Sequence, residues 1–287
     1  MSSTLDAAAS GQLALGGDLI INRLGFGAMR ITGPGVWGNP PDISMAVRVL
    51  RRAVHLGVNF IDTADAYGPE VSEHLLARAL YPYPADLVVA TKGGLVRPGP
   101  GEWVRDGRPA HLRAACEASL KRLRRDCIDL YQLHAPDPAV PLEESVGELS
   151  LLRAEGKVRH IGVSNVTLQE LRRCERVVPV VAVQNRFNLQ DRHGEDVLEH
   201  CAASGSAFLP WAPLGSGRHA VGTNIAPALV RLAEGRGIST AQAAIAWLLQ
   251  RAPVVVPILG TASMAHLEEN IAAASIVLTA EEFRSIS

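Results

Sequence analysis

The feature that most constrains this 287-residue chain is a regular alternation of short apolar runs with longer amphipathic segments. The longer segments, such as SMAVRVLRRAVHLG and HLRAACEASLKRLRR, repeat apolar residues at the spacing of a helix. Strands that alternate with helices form parallel sheets, and eight such units close a (β/α)8 barrel of about 250 residues. Eight apolar runs are present, and they begin near Leu24, Val58, Leu87, Ile128, Val158, Val180, Ala207 and Pro253. The sequence therefore predicts an α/β protein built as one (β/α)8 TIM barrel.

Two additions to the plain barrel are expected. Apolar runs on either side of Gly16-Gly17-Asp18 predict an N-terminal β-hairpin, placed to plug the N-terminal mouth of the barrel. The stretch between the seventh and eighth runs is long enough for an extra helix before strand 8. Residues 13–287 are predicted to form a single domain, and residues 1–12, which are small and polar, are predicted to be disordered.

Composition excludes several classes of protein. Hydrophobic residues make up 47% of the chain, which is enough for a sizeable core, and the formal net charge is -1. A charge so near zero argues against a surface devoted to nucleic acid. The four cysteines form no C-x-x-C pair and predict reduced thiols in a cytoplasmic protein. Because there is no secretory signal pattern and no apolar run of about 18 residues, no membrane segment is expected.

Two short motifs resemble known sites but are incomplete. GFGAMR at 25–30 lacks the third glycine of a dinucleotide-binding turn, which argues against a Rossmann domain. Ser164 lies in GVSNV, which begins like the nucleophile elbow of a serine hydrolase but ends in valine where glycine is needed. A hydrolase that uses Ser164 is therefore kept only as a minor alternative.

Polar residues stand where the apolar runs end. Asp62, Lys92 and His134 end the second, third and fourth runs, and Tyr67 follows Asp62 by five residues. Taken singly, such an Asp often caps a helix, a lone Lys is usually a solvated surface group, and a lone His is usually structural. The C-terminal ends of barrel strands meet at one mouth, so the coincidence favours an active site there. The next three runs also end in polar or aromatic residues, namely Ser164-Asn165, Gln184-Asn185 and Trp211.

The first four of these residues suit the protonation of an alkoxide. A phenol has an ordinary pKa near 10, and an ammonium group beside it is expected to lower that pKa. Asp62 would keep Lys92 charged, and His134 would hydrogen-bond a substrate oxygen or assist the proton transfer. Tyr67 is then the general acid. A carbonyl becomes an alkoxide only by accepting hydride, which no side chain supplies, so a nicotinamide or flavin cofactor is required.

The chain resembles the aldo-keto reductases, which are NAD(P)H-dependent barrel oxidoreductases. The matching segments run in order along nearly the whole chain: LGFGAM, NFIDTADAYG, VVATK, DLYQLH, GKVRHIGVSN, VQNRFN, PWAPLG and ILGTASMAHLEEN. The resemblance implies a catalytic tetrad in which Tyr67 is the proton donor; its members are Asp62, Tyr67, Lys92 and His134.

The resemblance also implies the cofactor contacts. Ser164, Asn165 and Gln184 are expected to bind the nicotinamide carboxamide, and Trp211 is expected to stack on the ring where the family usually has tyrosine. Met29 is assigned to the same site, and the pyrophosphate is expected along Pro213, Leu214, Gly215 and Ser216. The adenosine end is expected on Gly260, Thr261, Ser263, His266, Glu269 and Asn270. NADPH is the expected cofactor, but this face lacks the Lys or Arg of the commonest NADPH-specific members, so discrimination against NADH is expected to be weak.

The substrate is predicted only by class. The stretch MRITGPGVWGNPPD is similar to the branch that contains bacterial pyridoxal reductases, which implies pyridoxal or other small aromatic aldehydes. Trp37 and Trp103 are expected to wall the substrate pocket. The alternative from another class is a non-catalytic barrel that keeps a cofactor site, like channel-associated regulatory subunits, although the intact tetrad argues against it. The expected partners are a small carbonyl compound, no nucleic acid and no membrane, and the expected state is a monomer or a weak homo-oligomer.

Overall fold

The computed structural model describes residues 5–215 and 226–287. In chain order the strands are β1 (Gln12–Leu15), β2 (Leu19–Asn22), β3 (Gly25–Gly27), β4 (Phe60–Asp62), β5 (Val88–Gly93), β6 (Leu95–Val96), β7 (Val104–Arg105), β8 (Ile128–Leu133), β9 (Val158–Ser164), β10 (Ala182–Gln184), β11 (Ala207–Phe208) and β12 (Ile258–Leu259). Eight parallel strands of this described part form one sheet in the order β11-β10-β9-β8-β5-β4-β3-β12. The sheet closes because β11 also bonds the segment that leads into β12: the Phe208 N–H donates to Val254 O and the Val256 N–H donates to Phe208 O, both at 2.9 Å. The predicted closed α/β barrel is confirmed.

Helices follow the barrel strands and cover the outside of the sheet. Several begin at side-chain caps: the Asp42 carboxylate accepts from Met45 N–H, and Thr167 and Ser239 each form a capping box. In the described part of the segment between β11 and β12 there are two helices, so the extra helix before the last strand is confirmed. Among the described helices, none is both long and apolar enough to cross a bilayer. The helices are α1 (Ile43–His55), α2 (Val71–Leu80), α3 (Pro109–Leu123), α4 (Leu142–Ala154), α5 (Leu168–Glu175), α6 (Glu195–Ser204), α7 (Pro227–Arg236), α8 (Thr240–Arg251), α9 (Met264–Ala272) and α10 (Ala280–Ile286).

The N-terminal hairpin closes the lower end of the barrel, as the sequence predicts. Strands β1 and β2 pair antiparallel with Leu15 opposite Leu19. Leu15 and Ile21 are buried in one cluster with residues of the barrel interior, including Phe60 and Val256. Burial of these side chains excludes water from that mouth, so ligands reach the barrel from the other end.

The predicted disorder of residues 1–12 is wrong for the segment just before the hairpin. Ala7–Ser10 form a 3-10 helix whose first turn is capped by the Asp6 carboxylate, which accepts from the Ala8 N–H at 2.9 Å. The Ala7 N–H donates to Leu56 O at 2.8 Å, and the Ala7 side chain is fully buried. A tertiary contact with the end of α1 thus orders residues whose small, polar composition gives no sign of it.

Candidate active site

A buried lysine is at the centre of the upper mouth of the barrel, which is the mouth formed by the C-terminal ends of the strands. Lys92, near the end of β5, is 0% exposed. Its ammonium group donates to Asp62 Oδ2 at 2.6 Å, to the Thr63 carbonyl at 2.9 Å and to Tyr67 Oη at 3.2 Å. Three donors therefore meet three acceptors, so the charge is paired and its direction is fixed.

The Asp62 carboxylate links this lysine to the next strands of the barrel. Its Oδ1 accepts from Gln132 Nε2 at 2.9 Å and from Gln184 Nε2 at 2.8 Å. Gln132 is a residue that sequence reasoning missed. It lies two positions before His134 in the apolar strand β8, and a polar residue there points into the barrel. This one polar residue, facing inward in an apolar strand, was the signal that could have identified Gln132 as a site residue.

The pKa of Tyr67 differs from the sequence-based expectation. Burial raises the pKa of the phenol above its ordinary value of about 10. The charge of Lys92 acts in the predicted direction and lowers the pKa, but it does not offset the burial. For Lys92, burial acts to lower the pKa, whereas Asp62 and Tyr67 raise it, and the pKa is raised overall. The expected net lowering of the Tyr67 pKa is therefore wrong, because sequence does not report desolvation.

His134 is a neutral imidazole in this site. Burial, followed by the positive charge of Lys92, holds the pKa of His134 well below its ordinary value. Its ring meets the Tyr67 ring edge to face, with centroids 5.7 Å apart and planes at 83°. Within the described part of the chain, the buried Nδ1 has no hydrogen-bond partner. A neutral ring can make a hydrogen bond to a ligand without bringing a charge into the site.

Three polar side chains and one indole form the opposite wall. Asn165 donates through Nδ2 to His134 O at 2.9 Å and accepts through Oδ1 from Trp211 Nε1 at 3.0 Å. The Ser164 hydroxyl donates to the Gln184 backbone carbonyl at 2.8 Å and accepts from Asn165 Nδ2 at 3.0 Å. Ser164 therefore donates its proton to an amide carbonyl and not to a base, which argues against the serine-hydrolase alternative.

These groups surround a cavity of about 540 Å³ at the C-terminal ends of the strands. The cavity brings together most of the predicted site residues. Those that border it are Met29, Asp62, Tyr67, Trp103, His134, Ser164, Asn165, Gln184, Trp211, Pro213, Leu214, Gly215, Gly260 and Asn270. Lys92 lies behind this surface and acts on it only through its neighbours.

Several predicted contacts are not on the cavity wall. Thr261 Oγ1 accepts from the Ser263 N–H at 3.0 Å, and the Ser263 side chain caps α9 by accepting from the His266 N–H. His266 is exposed and Glu269 is half-buried on the same helix. Roles for these four residues at the adenosine end stay predictions. Ser216 lies outside the described residues.

The two tryptophans predicted to wall the substrate pocket differ. Trp103 borders the cavity and meets the Tyr67 ring edge to face, with centroids 6.4 Å apart. Trp37 does not line the cavity; it pairs with Gly68 in a single β-bridge. Its contact with substrate stays a prediction.

Sequence reasoning also missed Arg30, which borders the cavity next to Gly260. The Arg30 side chain lies so near Gly260 that a Cβ atom added to this glycine would be 3.4 Å from Arg30 Cγ.

Comparisons with known proteins identify the family of this chain. An uncharacterized oxidoreductase of Schizosaccharomyces pombe is 48% identical over 285 residues, which cover 99% of this chain and 92% of that protein. A pyridoxine 4-dehydrogenase of Escherichia coli is 38% identical over 268 residues, covering 91% and 92%. The structure of an aldo/keto reductase from Klebsiella pneumoniae in complex with NADP and acetate superposes with a TM-score of 0.81, at 28% identity, covering 96% and 93%. The model of the aldo/keto reductase family matches residues 23–287, and the chain belongs to this family of oxidoreductases.

Proposed function

We propose that this protein reduces aldehydes or ketones to alcohols with NADPH, and that Tyr67 is the proton donor. One observation carries the proposal. Tyr67 borders the cavity, and its hydroxyl is hydrogen-bonded to the buried Lys92 ammonium, which is itself held by Asp62. A phenol held beside a fixed cation can give up a proton to an alkoxide, because the cation stabilises the phenolate that remains.

Each neighbour of Tyr67 has a distinct part in the proposed step. Lys92 stabilises the phenolate as the proton leaves, and Asp62 keeps Lys92 charged in a buried position. Burial raises the pKa of Tyr67, so the phenol keeps its proton until a stronger base such as an alkoxide forms beside it. His134 is neutral and orients the carbonyl oxygen by a hydrogen bond from its ring.

The wall opposite Tyr67 suits a nicotinamide. NADPH supplies the hydride that the carbonyl carbon accepts. Among the described residues Gln184 Oε1 accepts no hydrogen bond, and Ser164 Oγ and Asn165 Oδ1 each keep one free lone pair, so all three can accept from a carboxamide NH₂. The half-buried Trp211 indole offers an aromatic face to the ring, and Met29 lies on the same cavity.

The phosphates are assigned to the rest of the same surface. The pyrophosphate is proposed to lie along Pro213, Leu214, Gly215 and Ser216. The adenosine end is proposed to lie on the start of α9, where a helix dipole favours a phosphate, with contacts to Gly260, Thr261, Ser263, His266, Glu269 and Asn270. Arg30 adds a cation that the sequence argument lacked, because its side chain is exposed and borders the cavity beside Gly260. We therefore infer a preference for NADPH over NADH, with NADH also accepted.

The substrate class is inferred to be small aromatic aldehydes, including pyridoxal. Two observations support it: the name of the 38% identical pyridoxine 4-dehydrogenase, and the Trp103 indole on the cavity wall beside Tyr67 and His134. A flat apolar ring favours a planar substrate by stacking and by burial of apolar area. The protein is further inferred to act as a monomer or weak homo-oligomer in the cytoplasm, where its four unpaired cysteines would stay reduced.

A panel of carbonyl compounds tests the proposal. Pyridoxal, a benzaldehyde and a short aliphatic aldehyde are each incubated with NADPH and with NADH, and the loss of reduced cofactor is followed by absorbance. Turnover that is faster with NADPH and fastest with the aromatic aldehydes is expected. Tight NADPH binding with no turnover of any carbonyl compound would instead favour the non-catalytic regulatory barrel.

A further inference from the structure

One buried cation at the upper mouth plays no part in the proposed reaction. Arg97 follows β6 and is 8% exposed. In the described part of the chain its guanidinium has no carboxylate partner; instead it donates to four backbone carbonyls on three loops. Nε donates to Glu102 O at 2.7 Å, Nη1 to Val36 O at 3.0 Å and to Ala66 O at 3.3 Å, and Nη2 to Gly35 O at 3.3 Å.

The position of these carbonyls matters for the active site. Ala66 directly precedes Tyr67, and Glu102 directly precedes Trp103. The rigid five-donor fork of an arginine suits this arrangement, because one planar group spans three chain segments at once. Lysine, with a single point charge on a flexible stem, could not make all four contacts together.

Arg97 also holds the Trp103 ring directly. The guanidinium carbon lies 3.7 Å from the centroid of the Trp103 ring and 5.5 Å from that of Trp37. Trp103 is 39% exposed on a loop between two short strands, so a free indole there would have several orientations. In the observed orientation it meets both Tyr67 and His134 edge to face, with centroids 6.4 Å apart in each pair.

The loop on the other side of Arg97 is strained. Val36 has a φ of 58°, a left-handed conformation that is a genuine outlier for a β-branched residue. The Val36 carbonyl is one of the four that accept from Arg97. Such strain persists only where surrounding contacts hold it, and Arg97 supplies one of them.

We propose that Arg97 is a positioning residue that fixes Trp103 as the aromatic wall of the substrate pocket and so determines the preference for planar aldehydes. The inference rests on the proposed function, because it names what selects the substrate at that site. Removal of Arg97 leaves Tyr67, Lys92 and Asp62 with the hydrogen bonds they make to one another. The variant should therefore still transfer the proton, but it should lose the preference for planar aldehydes.

The test compares Arg97→Met, Trp103→Leu and the double variant. For each, kcat/KM is measured with NADPH for benzaldehyde and for propanal, and the ratio of the two is the readout. Arg97→Met is expected to lower that ratio about tenfold, the upper range for a lost aromatic interaction. The ratio should fall because the KM for benzaldehyde rises, whereas kcat should stay within about threefold of the wild type. The double variant should lose no more than Trp103→Leu alone, because both changes remove one wall.

Arg23→Met is the matched control. The Arg23 guanidinium also donates to backbone carbonyls, those of Leu249, Ala252 and Val255, but it lies before β3, at the opposite end of the barrel. This variant should lose stability without changing the benzaldehyde-to-propanal ratio. A hydrogen-exchange measurement on the cofactor-free protein adds a readout independent of activity: peptides covering 33–38 and 97–103 should exchange faster in Arg97→Met.

The outcomes separate this inference from the proposed function. A wild-type protein that reduces neither aldehydes nor ketones refutes the proposed function itself. An active protein in which Arg97→Met keeps the ratio within about twofold, while Trp103→Leu lowers it, overturns the role of Arg97 alone. If Arg97→Met does not fold, Arg97→Lys replaces it and should lower the ratio about threefold, since it keeps the charge but not the fork. An unchanged ratio there, or failure of both variants to fold, also overturns the inference.

Discussion

Replacement of Tyr67 by phenylalanine removes one hydroxyl and keeps the ring. The described partner of that hydroxyl is the Lys92 ammonium at 3.2 Å, and Lys92 keeps its contacts with Asp62 and Thr63. The stability cost is therefore at most one hydrogen bond to a charged group, about 1.5–3 kcal/mol. For a chain of this length that corresponds to a Tm lower by no more than about 10 °C, so the variant should fold.

The effect of Tyr67→Phe on catalysis should be much larger than its effect on stability. A general acid contributes about 10²–10⁴ in rate, and we expect kcat to fall by at least about 10²-fold. NADPH absorbance follows turnover, and quenching of tryptophan fluorescence, with Trp211 on the cavity wall, follows NADPH binding. NADPH affinity should change little, because the proton is needed only in the transition state.

Tyr131→Phe is the matched control for this substitution. Tyr131 is buried as well, and its hydroxyl donates to Leu112 O at 3.3 Å outside the cavity. It should lose comparable stability and keep its activity. Lys92→Met should lose activity by a different route, since it removes the charge that stabilises the phenolate, and the Tyr67→Phe, Lys92→Met double variant should be far less than additive. If kcat of Tyr67→Phe stays within about threefold of the wild type, the proton-donor assignment is wrong.

Three further predictions concern stability and cofactor choice. Burial, with the charge of Glu73, raises the pKa of Asp65 to about 8. The folded protein therefore binds this proton more tightly than the unfolded chain does, and the contribution to the free energy of unfolding is fully present below about pH 4 and is lost as the pH rises to about 8. Asp65→Asn avoids this loss, and its Tm advantage in thermal melts should grow over that window to at least about 2 °C; an advantage that is absent or independent of pH contradicts the assignment. Ser263→Ala with His266→Ala should raise the KM for NADPH about tenfold and leave that for NADH nearly unchanged, whereas equal effects would refute their contact with the 2′-phosphate. Arg30→Gln should weaken both cofactors if it binds the shared pyrophosphate and only NADPH if it binds the 2′-phosphate; unchanged KM values for both would exclude Arg30 from the site.

Local patterns were enough to predict the barrel and most of the cavity wall. A strand in a closed parallel barrel is apolar until its C-terminal end, so Asp62, Lys92 and His134 were recognisable by their places after apolar runs. Strand β4 ends at Asp62 and β8 ends directly before His134. These signals need only the order of residues along one element, which the sequence contains.

Features that depend on distant neighbours could not be predicted. Gln132 and Gln184 meet on Asp62 from two other strands, and Arg97 joins three loops, one of which lies 62 residues before it in the sequence. Trp37 and Trp103 look alike as loop tryptophans, yet only Trp103 borders the cavity. Which side chain faces a cavity is decided by how loops pack, and no local pattern records that packing.

The sequence by itself determined the eight strand–helix units, the plugging hairpin and the identity of the residues at the strand ends, because periodicity and chain order are local properties. The tertiary structure alone decided how those residues behave. It placed Lys92 where all three of its donors are satisfied, buried Tyr67 so that its pKa is raised and not lowered, and kept His134 neutral. Desolvation and the distances between charges set these properties, and both exist only once the strands have closed into a barrel.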